Sequence, residues 1–190
     1  MNFQQIRQVL KKHNLEVFTT QEFVLVTGID RKITTVKLAR YKKAGYLISP
    51  KKGVYYLSGE EIDKYRIANK TYYPSYISLD SALAKYNIIP ESVYSITSVT
   101  TKATREFNDS QTIYKYYKIK RGAYLGYQKE NEALVAEKEK ALVDYLYFAS
   151  QGKRDLNDRV DLSSLDKNKI IYYAKFFGNK RLDNLIKKIC

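Results

Sequence analysis

Eight basic side chains fall between residues 31 and 52 with no aspartate or glutamate among them: Arg31, Lys32, Lys37, Arg40, Lys42, Lys43, Lys51 and Lys52. Cations gathered in this way hold phosphate oxygens, and a polyanion they neutralise releases its counterions, so the chemistry on offer is nucleic-acid binding. The whole chain has 34 Lys+Arg against 20 Asp+Glu, a net charge of +14. A total of that size also follows from the Lys- and Tyr-rich usage of an AT-rich coding sequence. Such drift raises lysine everywhere, but it does not empty a window of acids. The distribution therefore carries the inference, and the total does not.

Other residues with chemical potential are scattered. Tyr114, Lys115, Tyr116, Tyr117, Lys118, Lys120 and Arg121 interleave aromatic rings with cations, a pattern suited to stacking on bases. Strand alternation would instead bury Tyr114 and Tyr116 in a core, and that reading is favoured. Lys102 and Arg105 flank the Thr-rich run Thr97–Thr101. Lys180, Arg181, Lys187 and Lys188 crowd the last helix against one acid, Asp183. Catalysis has little to build on. His13 is the sole histidine and Cys190 the sole cysteine, so neither a Cys/His pair with an orienting third group nor a zinc site is expected. No Gly-rich phosphate loop is present. Lys140 and Asp144, at i and i+4, read as a surface ion pair on a helix. Ser75 and Ser78 have no evident base. The expectation is a non-enzyme without metal or cofactor.

The elements that must position the basic window are legible in the first 58 residues. Phe3, Ile6, Val9 and Leu10 recur at helical spacing. Thr19-Thr20-Gln21-Glu22 fits a capping box that opens a short helix through Phe23–Val26. Gly28 ends it, Asp30 caps the next helix and Gly45 stops that one. Helix, Gly-containing turn and second helix make a helix-turn-helix unit. Tyr46–Ser49 and Val54–Leu57 form a hairpin around Pro50-Lys51-Lys52-Gly53, which supplies a wing.

On the second helix, Ile33, Thr34, Leu38, Tyr41 and Ala44 fall towards the packing side at about 100° per residue. Lys32, Thr35, Val36, Ala39, Arg40 and Lys43 fall opposite, with Arg31 at the start. Arg31, Lys32, Thr35 and Val36 are expected nearest base edges. Arg40 shares their face. Lys43, Lys51 and Lys52 are placed for phosphates. The partner expected is double-stranded DNA.

Residues 58–70 read as a charged connecting helix or linker. From residue 71 the chain mixes Ser78-capped Leu79–Tyr86, β-type runs at Val93–Thr101 and Thr112–Ile119, and helices near Ala136–Ala149, Leu165–Phe177 and Lys180–Ile189. The fold class expected is α+β: a winged helix-turn-helix domain at 1–70, then a mixed α+β domain at 71–190. No stretch has the ~18 apolar residues a membrane helix needs, and Met1–Arg7 lacks a signal-peptide layout. A cytoplasmic location with no membrane partner is expected.

Within the second part, Tyr73-Pro74-Ser75-Tyr76-Ile77-Ser78-Leu79-Asp80-Ser81-Ala82-Leu83 precedes Ile89-Pro90-Glu91 and Tyr94. Then come Thr97-Ser98-Val99-Thr100-Thr101-Lys102 with Arg105 and Phe107, Gly126-Tyr127, and Glu139-Lys140-Ala141-Leu142-Val143-Asp144-Tyr145-Leu146-Tyr147. With the hairpin segment Lys52–Leu57, this order resembles the AbiEi antitoxin family of AbiE phage-defence systems across about residues 15–150. Lys138 stands where that family often has proline, which leaves the start of the following helix open.

The resemblance implies a type IV antitoxin that binds inverted repeats in its own promoter through a winged helix, often cooperatively with self-association on DNA. It also implies a second domain that counters a nucleotidyltransferase-like toxin without a stable complex. Lys102, Arg105, Lys118, Lys120 and Arg121 are the candidates in that domain. Two alternatives stay open: an antitoxin that contacts its toxin directly, and a winged-helix regulator whose Tyr-rich second domain senses a ligand.

Overall fold

A computed structural model describes residues 1–189; Cys190 lies outside the described residues. Local signals fix the first elements. Asn2 and Gln5 form a reciprocal capping box on α1 (Phe3–Lys12), whose Ile6 and Leu10 are buried. After β1 (Val17–Thr19), the Thr19 hydroxyl accepts from the Glu22 amide at 3.2 Å while the Glu22 carboxylate accepts from the Thr19 amide at 2.7 Å. These bonds satisfy donors that α2 (Thr20–Thr27) would otherwise leave orphaned. Gly28 closes α2 in the left-handed region, and Asp30 caps α3 (Arg31–Lys43). Strands β2 (Leu47–Lys51) and β3 (Val54–Leu57) complete a three-stranded antiparallel sheet of order β1-β3-β2. Ile6, Leu10, Phe18, Phe23, Leu38, Leu47 and Leu57 form the core beneath these elements.

The segment expected as a connecting helix or linker holds a packed helix, α4 (Lys64–Thr71). Its Ile67, Ala68 and Thr71 are buried, because a second sheet lies against them. That sheet holds β4 (Ser75–Ile77), β5 (Ser95–Thr100), β6 (Arg105–Asn108), β7 (Ile113–Lys118), β8 (Tyr127–Glu130) and β9 (Ala133–Ala136) in the order β6-β7-β5-β4-β9-β8. β5 runs parallel to β7 and β4 parallel to β9; the other pairs are antiparallel. On one face the Tyr116 hydroxyl donates to the Ala68 carbonyl of α4 at 2.7 Å. The other face is covered by α5 (Leu79–Lys85) and α6 (Lys138–Ala149), backed by α7 (Lys167–Lys175) and α8 (Lys180–Ile189).

The chain is thus mixed α+β, with eight α-helices and two sheets among the described residues. The position proposed for a domain boundary, residue 70, falls inside α4. Val17 and Tyr56 from the first sheet share one core with Ile67, Ala68, Tyr76 and Tyr114. Tyr56 donates from its hydroxyl to the Asp109 carboxylate at 2.7 Å, and Tyr114 donates to the same carboxylate at 2.8 Å. No helix among the described residues is long and apolar enough to cross a membrane.

Candidate nucleic-acid interface

α3 is held by two fully buried residues, Thr34 and Leu38. Arg31, Lys32, Thr35, Val36, Ala39, Arg40 and Lys43 are exposed, as the helix geometry predicts. Ile33 and Ala44, expected on the packing side, are exposed too; Ile33 is 54% accessible. The reason is angular. At about 100° per residue Ile33 lies roughly 100° away from the Thr34–Leu38–Tyr41 seam, too far round to reach it. Ile33 and Val36 therefore stand as apolar groups among cations. The Thr35 hydroxyl donates back to the Arg31 carbonyl at 3.0 Å.

Charge pairing is partial over the rest of the chain and missing from this region among the described residues. Elsewhere a number of cations meet carboxylates: Arg7 and Lys11 at Glu60, Arg66 at Glu16, Lys70 at Glu22, Lys85 at Glu130. Glu22 is one such partner. Partial burial pushes its carboxyl up, but the hydrogen bonds from Lys70 and Thr19 outweigh that and leave it below the usual glutamate value. None of the eight cations between residues 31 and 52 forms an ion pair among the described residues. Lys37 instead reaches the Met1 carbonyl at 3.4 Å.

Lys51 departs from the expectation of a free wing-tip cation. It ends β2, and its Nζ lies 5.1 Å from the centre of the Tyr72 ring and 5.4 Å from that of Phe107. The hairpin leans on the second sheet, so the lysine finds two aromatic faces there. Lys52 remains exposed at the turn.

The five candidates of the second part divide into two groups. Lys102 shares Tyr72 with Lys51, its Nζ 5.5 Å from the ring centre. Arg105 opens β6, and the Lys118 amide donates to Thr104 Oγ1 at 3.0 Å beside it. Lys120 turns towards the α7–α8 junction, its Nζ near Gly178, and Arg121 begins the short 3-10 turn that follows it in sequence. Tyr114 and Tyr116 are core residues, as alternation predicts.

The expectation for Lys140 and Asp144 is overturned. The pair is fully buried between α6 and β4. Asp144 also accepts from the Tyr76 hydroxyl at 2.9 Å and from Ser78 Oγ at 2.8 Å. Ser78 does stand before α5, yet its hydroxyl goes to Asp144 and makes no capping bond. The chain turns there through Leu79, a buried residue at φ +57. Burial pushes the Asp144 carboxyl up and the Lys140 ammonium down, while their mutual attraction opposes both shifts. A spacing of four is the same on a wet face and a dry one, so sequence periodicity could not find this network. Only the surrounding apolar residues Ala141, Leu142 and Val143 hint at it.

No group of three His, Cys, Asp or Glu side chains placed to hold a metal occurs among the described residues. Compared with known protein families and with curated proteins, the chain matches neither.

Proposed function

We propose that the protein is a double-stranded-DNA-binding autorepressor of the AbiEi antitoxin type. In this reading α2 and α3 are a helix-turn-helix and the β2–β3 hairpin is its wing. α3 enters the major groove, Arg31, Lys32, Thr35, Val36 and Arg40 face base edges, and Lys43 and Lys52 hold phosphates. Inverted repeats in the protein's own promoter are the operator, and the second half opposes a nucleotidyltransferase-like toxin in the cytoplasm. The observation that carries the DNA reading is the gathering of eight cations over residues 31–52 with no acid among them and, among the described residues, no ion pair on any. Uncompensated cations on an exposed helix give the counterion release on which duplex binding runs. The antitoxin role rests on the sequence resemblance alone.

Footprinting of the full chain on the DNA upstream of its own coding sequence tests the reading. Protection of paired, inverted half-sites is expected. Uniform weak protection, or unchanged protection after charge reversal across residues 31–52, refutes it.

One feature favours direct contact with a protein partner as a second reading. A groove of about 670 Å³ between α7 and α8 is floored by Ile171, Ala174 and Ile186. Co-purification of toxin through a salt wash would support that route.

A further inference from the structure

Lys102, Arg105 and Lys118 belong by sequence to the second half, yet the fold sets them beside the hairpin. A run of contacts joins them to α3. Arg31 lines a small hollow with Thr20, Gln21 and Val24. The Thr20 amide donates to the Gly53 carbonyl at the hairpin tip at 3.0 Å. Lys51, two residues back, lies over Tyr72 and Phe107, and Lys102 lies over Tyr72 as well. Arg105 is two residues from Phe107 on β6, so both leave the sheet on the same face. Lys118 adjoins them through Thr104.

All three are exposed, and none pairs with a carboxylate among the described residues. The acids closest in sequence are engaged elsewhere. Glu106 faces Lys115 across β6 and β7 at 3.9 Å, and Asp109 is buried under the hydroxyls of Tyr56 and Tyr114.

We propose that a duplex seated on α3 continues over the hairpin tip and onto the β6–β7 corner, where Lys102, Arg105 and Lys118 hold its phosphates. This rests on the reading of α3 as the DNA-binding helix. The corner suits backbone rather than bases. Tyr72 is taken by Lys51, Lys102, Phe107 and Tyr116, and Phe107 packs edge-on to Tyr116. Neither ring offers a platform for an unpaired base, so a single strand has little to stack on. Contacts of this kind position the duplex and carry no sequence preference.

The test uses the full chain and two duplexes of equal length: the fragment upstream of its own coding sequence, and a random sequence. Fluorescence anisotropy across a salt series gives the slope of log K against log salt for wild type and for the triple variant Lys102→Gln, Arg105→Gln, Lys118→Gln. Each lost phosphate contact removes about 0.9 from the slope, so a loss of about 2–3 is expected, equal on both duplexes. The charge-preserving Lys102→Arg, Lys118→Arg variant should keep the wild-type slope. Wild-type binding with a loss of one unit or less in the triple variant overturns the extension and leaves α3 standing. Failure of wild type to bind either duplex overturns both. Hydroxyl-radical footprinting of wild type gives an independent measure, because backbone protection should run past the half-site on the hairpin side. Protection confined to the half-site refutes the extension.

Discussion

Replacing Lys140 by methionine isolates the buried ion pair. The Lys140 side chain is 1% accessible and that of Asp144 is inaccessible. Methionine keeps most of the lysine stem but removes the charge, so Asp144 is left with the Tyr76 and Ser78 hydroxyls as its donors. Breaking a buried pair from one side costs about 3–5 kcal/mol, a large share of the ~5–15 kcal/mol that holds a domain. With a urea dependence of about 1–3 kcal/mol per molar, the unfolding midpoint should fall by at least 1 M or so.

The pH dependence supplies the sharper check. Burial already raises the Asp144 carboxyl above its ordinary 3.8, and Lys140 is the main influence lowering it. Without Lys140 the folded value rises further. A raised folded value contributes stability below pH 3.8 that is lost as pH climbs through it. The deficit of Lys140→Met should therefore be widest at neutral pH and shrink towards pH 4. The double variant Lys140→Met, Asp144→Leu should cost no more than the worse single change, because neither charge is stranded. A strictly additive double, or a deficit independent of pH, would show that the pair is not a coupled buried unit.

Three further outcomes are expected. Arg40→Ala or Lys32→Ala should weaken binding to the protein's own promoter by about 1–3 kcal/mol where the side chain makes a bidentate base contact, with gel-shift titration as the measure; an unchanged affinity for both removes them from the interface. Tyr56→Phe deletes a hydrogen bond to the Asp109 carboxylate and should cost about 1.5–3 kcal/mol in urea unfolding, whereas a loss below about 0.5 kcal/mol would mean that Tyr114 and the backbone amides suffice. Burial and Asp109 raise the hydroxyls of Tyr56 and Tyr114 above their ordinary 10.0, so their neutral forms contribute stability below pH 10 that falls away as pH rises beyond it, an effect Tyr56→Phe should reduce in thermal melts.

Much of the first half is legible because its signals are local. The Thr19–Glu22 box, the Asp30 cap and the α3 face each depend on residues within four positions. The second sheet is harder, since β4 pairs with β9 and β5 with β7 across long separations. Strands β8 and β9 turn through Asn131 and Glu132, both at positive φ. Such a two-residue turn ordinarily announces itself with glycine in second place; here glutamate fills it and the hairpin is silent. Asp109 reads as part of a turn, and it does bond the Gln111 and Thr112 amides. That it also receives Tyr56, 53 residues away, is information held only by the packing.

The seating of Tyr56 on Asp109 has a geometric consequence. Because the Tyr56 hydroxyl ties the hairpin to the second sheet, a duplex read by α3 as proposed would carry that half at one fixed angle about its axis. A helical repeat of about 10.5 base pairs would then decide on which side of the DNA each second half projects. On the proposed repeats, copies a whole number of turns apart would face the same way, and a half-turn insertion would send them to opposite sides.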